Sequence, residues 1–405
     1  MALVVTKYGG SSVATPDHIK KIAQRLVERK HTGDDVVVIV SAMGNSTDEL
    51  LDLADEITDH PNERELDMLL TTGEQVTIAL LAMAIQDLDQ KAISFTGLQV
   101  GIVTDSAHNK AKILAIDADC VKKALENGHI VIIAGFQGVT SSGEITTLGR
   151  GGSDTTAIAI AAAIAADVCD INTDVNGVYT ADPNVVEDAR KIDTISSEEM
   201  LEMAASGAGV LSMRSVEYAR NHGVTIHCRN SFTDEPGTIV TGEETDMEQA
   251  IVSAVTHDTN DAKITIRGVE DRPGIAATLF GALADENVNV DMVIQNISEE
   301  GLTDISFTVP HEDLSRAQAA VVAVKDEIGA RTWVLDEDVA KISIIGAGMR
   351  THPGVTSQMF RALADEGINI DLISTSPIRL SCIIALEDAP KAVRVLHKAF
   401  ELEQE

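Results

Sequence analysis

The last third of the chain is written twice, and that repetition narrows the available folds more than any other feature. A-K-I-T-I at Ala262 returns as A-K-I-S-I at Ala340, and P-G-I-A at Pro273 returns as P-G-V-T at Pro353. Phe280 leads into A-L-A-D-E-N-V-N-V-D, and Phe360 into A-L-A-D-E-G-I-N-I-D. Most of these pairs are 80 residues apart, so register is kept. Each copy reads strand, Pro-Gly turn, helix, strand, then a further strand, helix and strand, which is a ferredoxin-like split β-α-β unit. Two similar modules are expected to pack side by side, with room for a shared ligand.

The first 240 residues follow a different rule. Apolar runs at Val36–Val40, Ile130–Ala134 and Val168–Thr173 end in loops rich in Gly, Ser and Asp. Helical patterns intervene at Asp17–Arg29, Glu65–Gln86 and Ala111–Asn127. Buried strands alternating with helices predict a largely parallel sheet covered on both faces. Ligands of such sheets bind at the carboxyl ends of the strands. Between the halves, the acidic stretch Thr241–Gln249 reads as a linker.

Charge constrains the partners. The chain carries 64 acidic and 31 basic residues, a net charge of −33. Such a field repels nucleic acid and anionic membrane, so neither is expected as a partner. Anionic substrates must therefore be drawn in by local cations. The acidic surface would also suit a salty cytoplasm. The apolar run Ala157–Ala166 is too short to span a membrane. The N-terminal M-A-L-V-V-T-K reads as a buried strand rather than a signal peptide. Four scattered cysteines, Cys120, Cys169, Cys228 and Cys382, read as reduced core thiols. The expected location is cytoplasmic.

Two clusters of glycines and hydroxyls carry one cation each. K-Y-G-G-S-S, Lys7–Ser12, follows the N-terminal strand, and T-T-L-G-R-G-G-S-D-T-T-A, Thr146–Ala157, opens a helix over Asp154–Ala166. Glycines allow close backbone approach to an anion, and a helix N-terminus offers free N–H groups. Neither cluster has the Walker or Rossmann spacing. Lys7 would neutralise a transferring phosphoryl group, or is a surface lysine beside a tight turn; Arg150 suits a carboxylate, or is a solvated arginine in a loop. Asp154 would either cap its helix or organise magnesium or phosphates. Glu74, in T-T-G-E-Q, would pair with a substrate ammonium, or else Thr72 and Gln75 form a plain capping box around it. The T-D-V-N-G-V-Y-T-A-D-P loop, Thr173–Pro183, is a plain loop or a nucleotide site with Tyr179 as a wall for the base.

Taken together and in order, K-Y-G-G-S-S, S-A-M-G, T-T-G-E, G-F-Q-G, T-L-G-R-G-G-S-D-T-T-A, the D-V-x-G-V-Y-T-A-D-P loop and the run Glu199–Ala219 resemble aspartokinases. The repeated halves resemble the two regulatory ACT modules of that family. The resemblance spans essentially the whole chain. It implies an α/β amino-acid-kinase fold over residues 1–240, an open, mostly parallel sheet with helices on both faces. A linker with a strand follows at 241–260, then ferredoxin-like (βαββαβ) ACT modules at 261–335 and 340–405. It implies further that the strand near Ile251–Val255 enters the second module, so that the first is inserted in it.

The resemblance also assigns residues. Lys7, Gly9, Gly10 and Ser11 would hold the phosphoryl group of ATP. Ser41, Thr47, Glu74, Arg150, Gly151, Gly152 and Ser153 would bind L-aspartate, with Asp154 organising the transfer centre. Thr173, Asp174, Tyr179, Asp182 and Lys191 would line the nucleotide site. Mg²⁺ would arrive with ATP. Asp271, Gly274, Ala276 and Gln295, with Asn369 and Ile370, match threonine-binding positions, and His352 and Val355 match positions used for lysine. The bare reading of Asp271–Gly274 is only a strand-to-helix turn. Pairing of ACT modules across subunits implies a homodimer, and Met247 lies where some relatives start a separate regulatory subunit. Asn172, Asn176 and Asn184 depart from the family pattern. They are expected to border the nucleotide site without touching the Lys7 or Arg150 cradles. The implied reaction is phosphorylation of aspartate under feedback control by lysine and/or threonine, the first step toward lysine, threonine and methionine. A kinase for another amino acid, or a non-catalytic amino-acid sensor, is the competing expectation.

Overall fold

The computed structural model describes residues 2–242, 251–297 and 301–404. Met247, the candidate internal start, lies outside the described residues, as does most of the expected linker. The chain divides into two compact units that are not simple sequential blocks. One comprises Met1–Val178, Lys191–Ala204 and Gly209–Asp246, and the other Tyr179–Arg190, Ala205–Ala208 and Met247–Glu405.

The first unit is built on an eight-stranded sheet. Its centre is Leu3–Tyr8, paired in parallel with Asp35–Val40 on one side and Val168–Thr173 on the other. Ile130–Ala134 and Ala92–Phe95 extend it outward from Asp35–Val40, and Ile226–Asn230 extends it from Val168–Thr173, all in parallel. One antiparallel pairing, Ile226–Asn230 with Thr238–Thr241, interrupts the pattern. Val36, Val38, Val40, Ile130 and Ile132 pack against Ile19, Ile22, Leu26, Ile78, Leu81 and Ile85 of the helices Pro16–His31 and Thr72–Gln86. The alternate residues Val37, Ile39, Val131 and Ile133 are fully buried too. Burial on both faces is why these strands read as continuous apolar runs rather than alternating ones.

Two local expectations fail. Ala111–Asn127 is not one helix, because Ile113–Ile116 is a strand and only Asp119–Glu126 is helical. That strand belongs to a small second sheet, ordered Ile113–Ile116, Ile102–Thr104, Gln137–Thr140, Ile145–Thr147. The β-branched Ile113 and Ile116 fit such a ladder, and Asp117, whose Oδ1 accepts from the Asp119 amide at 3.2 Å, turns the chain between strand and helix. The Glu65–Gln86 pattern resolves into two helices, Glu63–Leu70 and Thr72–Gln86, joined at Thr71. By length and apolarity the 24 residues Glu63–Gln86 could cross a membrane, yet half of the apolar window is buried inside the protein.

In the second unit, Asp261–Glu270, Val293–Ile297, Leu302–Pro310 and Thr332–Asp336 form one antiparallel sheet with the ferredoxin-like strand order. Ile264, Ile266, Phe307 and Val309 bury against Leu279, Leu283 and Val321 of its helices. The second sheet holds Val339–Ile345, Arg379–Ala385 and Leu372–Thr375, and its remaining edge is Ala254–Asp258, antiparallel to Val339–Ile345. The strand that fills the fourth position therefore precedes the other module in sequence. Ala181 and Val186 are buried in the core of this second sheet. Thr180 also faces His397, with 2.9 Å between hydroxyl and Nε2. The repeat shows in the ion pairs. Lys263 reaches Asp371, and Lys341 reaches Asp291 at 2.6 Å, so each copy's lysine grips the other copy's aspartate.

Candidate active site

The carboxyl ends of Leu3–Tyr8 and Asp35–Val40 meet the N-termini of two helices, Gly152–Ile164 and Thr72–Gln86. Lys7 Nζ lies 2.6 Å from Asp154 Oδ1, with both side chains about nine-tenths buried. Asp154 sits in the first turn of its helix, whose N-cap is Gly151 at φ +68°, so Asp154 is not the cap. Ser41 Oγ donates to Ser153 Oγ at 2.9 Å, which ties the second strand's loop to the same helix terminus. Gly10 accepts from the Gly44 amide at 3.0 Å, and a Cβ on Gly10 would come within about 3.1 Å of the Ala42 and Gly44 carbonyls. This close approach of two loops requires glycine. Gly9 and Ser11 complete the turn beside Lys7, and Thr47 lies in the first turn of the Ser46–Asp55 helix.

Glu74 is the least expected member. It is 3 % exposed. Its Oε1 accepts from the Ala42 amide at 3.0 Å, while Oε2 has no hydrogen-bond partner within the protein. Burial pushes its pKa up to about 7, against the lowering effect of its backbone hydrogen bonds. The capping-box alternative is not realised, because Thr72 Oγ1 donates back to the Leu69 carbonyl instead. A buried carboxylate oxygen without a donor is costly and is best satisfied by a cation from outside.

Arg150 lies on the loop between Ile145–Thr147 and the Gly152 helix, flanked by Gly149 at φ +77° and Gly151. Of the nucleotide residues, Thr173 ends its strand and donates to Asp174 at 3.1 Å. Lys191 is held by the Asp193 carboxylate and the Gly237 carbonyl. Tyr179 and Asp182 belong to the other unit, where Asp182 Oδ1 accepts from the Asn184 amide at 2.8 Å in a tight turn. Asn176 lies 3.5 Å from the Thr233 hydroxyl. Asn172 requires a correction. It does touch the Lys7 cradle, because its buried amide donates to Thr6 Oγ1 at 2.7 Å and to the Lys7 carbonyl at 3.0 Å. Neighbouring parallel strands put residues 7 and 172 near register, which sequence alone did not reveal.

In the second unit, Asp271, Gly274 and Ala276 lie on the turn into the Ile275–Asp285 helix, and Gln295 lies on Val293–Ile297. His352 and Val355 occupy the equivalent turn of the other module. An open cavity of about 760 Å³ is lined there by His352, Pro353, Thr356, Phe360 and Arg361 among others, all from that module. Asn369 and Ile370 precede Leu372–Thr375, with Asn369 Nδ2 3.5 Å from Asp371.

Comparison with known proteins agrees with this architecture. Residues 2–230 match the amino acid kinase family, and residues 264–324 and 342–400 match the ACT domain. An aspartokinase of Mycolicibacterium smegmatis is 55 % identical over 407 aligned positions, covering 99 % of this chain and 97 % of the relative. The chain belongs to the aspartokinase family. It is a phosphotransferase with ACT domains. Aspartokinase III of Escherichia coli, solved with aspartate and ADP, is 26 % identical and superposes with a TM-score of 0.84 over 98 % of this chain and 99 % of that one. The same enzyme solved with lysine and aspartate in the T-state gives 0.74, with the same identity and coverage.

Proposed function

We propose that this chain transfers the γ-phosphoryl group of ATP to the β-carboxylate of L-aspartate, giving 4-phospho-L-aspartate and ADP, as the first step toward lysine, threonine and methionine. The observation that carries the proposal is the buried Glu74, with one oxygen left open, in the same unit as the buried Lys7–Asp154 pair. Its relatives are aspartokinases, and the E. coli enzyme was solved with aspartate and ADP.

The residues suit that chemistry. An aspartate side chain has an ordinary pKa of about 3.9, so it is already a nucleophile at neutral pH and needs no general base. The obstacle is repulsion between a carboxylate and a polyphosphate. Lys7 would hold the transferring phosphoryl group, with the Gly9 and Gly10 amides on its oxygens. Glu74 would take the substrate ammonium, and Arg150 its α-carboxylate, with Ser41, Thr47 and the Gly151–Ser153 amides around it. Asp154 is an organiser rather than a base. Thr173, Asp174, Tyr179, Asp182 and Lys191 would serve the nucleotide. Among the described residues no cluster of three metal-ligating side chains occurs. Mg²⁺ is held mainly by substrate phosphates and one or two carboxylates. When bound, it would neutralise charge on the phosphates, with Asp154 the carboxylate at hand.

The ACT modules would bind lysine and/or threonine as inhibitors, at Asp271, Gly274, Ala276, Gln295, Asn369 and Ile370 for threonine and His352 and Val355 for lysine. The protein would act in the cytoplasm, as a homodimer through these modules or with a subunit begun at Met247. Incubation with Mg-ATP, L-aspartate and hydroxylamine tests the reading. Aspartyl hydroxamate should form, and should fall when lysine plus threonine are added. Its absence from a folded preparation across a salt series would sink the proposal.

A further inference from the structure

The loop that carries Arg150 has almost no secondary structure of its own, and two charged residues outside the family motifs discussed for substrate hold it from both sides. The first is Asp67, on the helix Glu63–Leu70 and fully buried. Its Oδ1 accepts from the Thr147 hydroxyl at 2.5 Å, and its Oδ2 faces His108 Nδ1 at 2.6 Å. The Asn109 amide adds a bond at 3.2 Å. The second is Arg214, on Met213–His222. Its guanidinium is bidentate to two backbone carbonyls, Leu148 at 2.7 Å and Ala111 at 2.7 Å.

These bonds converge on one piece of backbone. Thr147 and Leu148 are the two residues before Gly149 and Arg150. The opposing strand of chain, His108 to Ala111, is held by the same two side chains, and the Ala111 amide donates to the Thr147 carbonyl at 3.0 Å. The loop then has no slack. A Cβ on Gly149 would lie 2.8 Å from the Asn109 carbonyl, and one on Gly151 2.3 Å from Ser212 Cβ. Burying one carboxylate and half-burying one guanidinium to hold neutral groups is expensive in desolvation, and a merely structural loop could be secured by neutral side chains. A loop that must present a guanidinium to a small dicarboxylate substrate within a fraction of an ångström gains from such rigidity.

We infer that Asp67 and Arg214 are positioning residues for the substrate-carboxylate clamp, setting the place of Arg150 and of Gly151–Ser153 beside it. This rests on the reading of Arg150 as the group that binds the substrate carboxylate. Neither residue touches substrate. Their effect is on KM for aspartate rather than on nucleotide binding.

The test compares Asp67→Asn, Arg214→Lys and Thr147→Val with Arg150→Lys in the full-length protein, by steady-state kinetics with each substrate varied in turn. Loss of a charge-assisted buried hydrogen bond predicts a rise of about 10- to 100-fold in KM for aspartate in the Asp67 and Arg214 variants, with KM for ATP within about 2-fold of wild type. Thr147→Val removes one donor while leaving Asp67 its other partners, and should raise KM for aspartate by about 3- to 10-fold at a nearly unchanged melting temperature. It keeps the inference testable if Asp67→Asn fails to fold. Arg214→Ala should recover aspartate affinity on addition of millimolar guanidinium. A rise in KM for aspartate with Arg150→Lys but not with Thr147→Val, Asp67→Asn or Arg214→Lys overturns the inference alone. No rise with Arg150→Lys overturns the reading beneath it. Equal losses toward both substrates, tracking melting temperature, would reduce both residues to structural roles.

Discussion

Lys7 and Lys341 are both enclosed against carboxylates, and they are built to opposite ends. Lys7 has one acid, Asp154 at 2.6 Å, and the pair is not aligned as a full hydrogen bond, so valences on both remain for an incoming group. Lys341 has three acids, Asp291 at 2.6 Å, Asp261 at 3.4 Å and Asp258 at 3.8 Å, besides the Ala205 carbonyl, and is 3 % exposed. Burial alone pulls the Lys341 ammonium down, but Asp261, Asp291 and Asp258 outweigh it and leave its pKa above the ordinary value. Asp261 is pushed up, by burial first and by the neighbouring Asp258 and Asp291 second, against the lowering effect of Lys341. One lysine is left under-satisfied, as a ligand site must be. The other is over-satisfied, as a fixed joint between two repeats can be.

The largest expected effect breaks the first member of this pair. Lys7→Ala should lower kcat by about 1,000-fold, because a cation aimed at the transferring group is lost. The melting temperature should fall as well, because Asp154 loses its buried partner, and lysine or threonine should still bind by calorimetry. Turnover above a tenth of wild type would remove Lys7 from the phosphoryl site.

Lys341→Ala should act chiefly on stability. Leaving three acids facing one another without their cation should cost about 3–5 kcal/mol in urea unfolding. Lys263 sharpens the contrast, since it is the repeat mate of Lys341 and pairs with Asp371 and Asp336. Those partners are about two-fifths exposed, so Lys263→Ala should cost only about 1 kcal/mol. Equal costs would mean that burial does not distinguish the two joints.

Much of this contrast was legible in the sequence, but unevenly. The glycine clusters around Lys7 and Arg150 announced themselves because close backbone approach demands residues without Cβ atoms. The repeat announced the second unit because the same apolar pattern must build the same layer twice. Asp67 and Arg214 were invisible. Asp67 reads as an ordinary acid on an amphipathic helix, and its partners Thr147 and His108 are 80 and 41 residues away. The placement of Tyr179–Arg190 was hidden for the same reason. Ala181 and Val186 look like loop residues until a core assembled from residues 252–402 closes over them. Helix and strand periodicities report local burial, while these arrangements depend on which distant segment arrives.

Glu74 carries the comparison from cations to an anion. It too is under-satisfied, and its raised pKa makes the consequence depend on pH. If the ionised form binds the substrate ammonium, KM for aspartate should fall as pH rises from 6 to 8 through about 7, and Glu74→Gln should remove that dependence. Stability moves oppositely. The folded-state pKa lies above the ordinary value of 4.5, so the native protein retains a proton that the unfolded chain releases. The stabilising contribution is present below 4.5 and is lost as pH rises through about 7. Glu74→Gln should therefore stabilise the protein more at pH 8 than at pH 4.5, by about 2–3 kcal/mol in chemical unfolding. A pH-independent difference would mean that Glu74 is solvated in solution.

The smallest expected effect concerns how Lys7 itself is held. Lys341 is fixed by charges, but the Lys7 backbone is steadied by a neutral amide, Asn172, donating to its carbonyl and to Thr6. A neutral hold leaves the field around the ammonium to Asp154 and to the incoming phosphate, which a charged neighbour would disturb. Asn172→Ala should cost about 1 kcal/mol of stability, since one buried side chain's hydrogen bonds are lost. It should lower kcat by no more than about 3-fold, because Lys7 keeps both its strand pairings and its acid. Asn172→Asp is the sharper variant. It swaps the donating amide for a charged acceptor facing the Lys7 carbonyl. If the neutral hold matters, kcat should fall further in Asn172→Asp than in Asn172→Ala even where the two melt at the same temperature. Equal kcat values would show that Asn172 only packs.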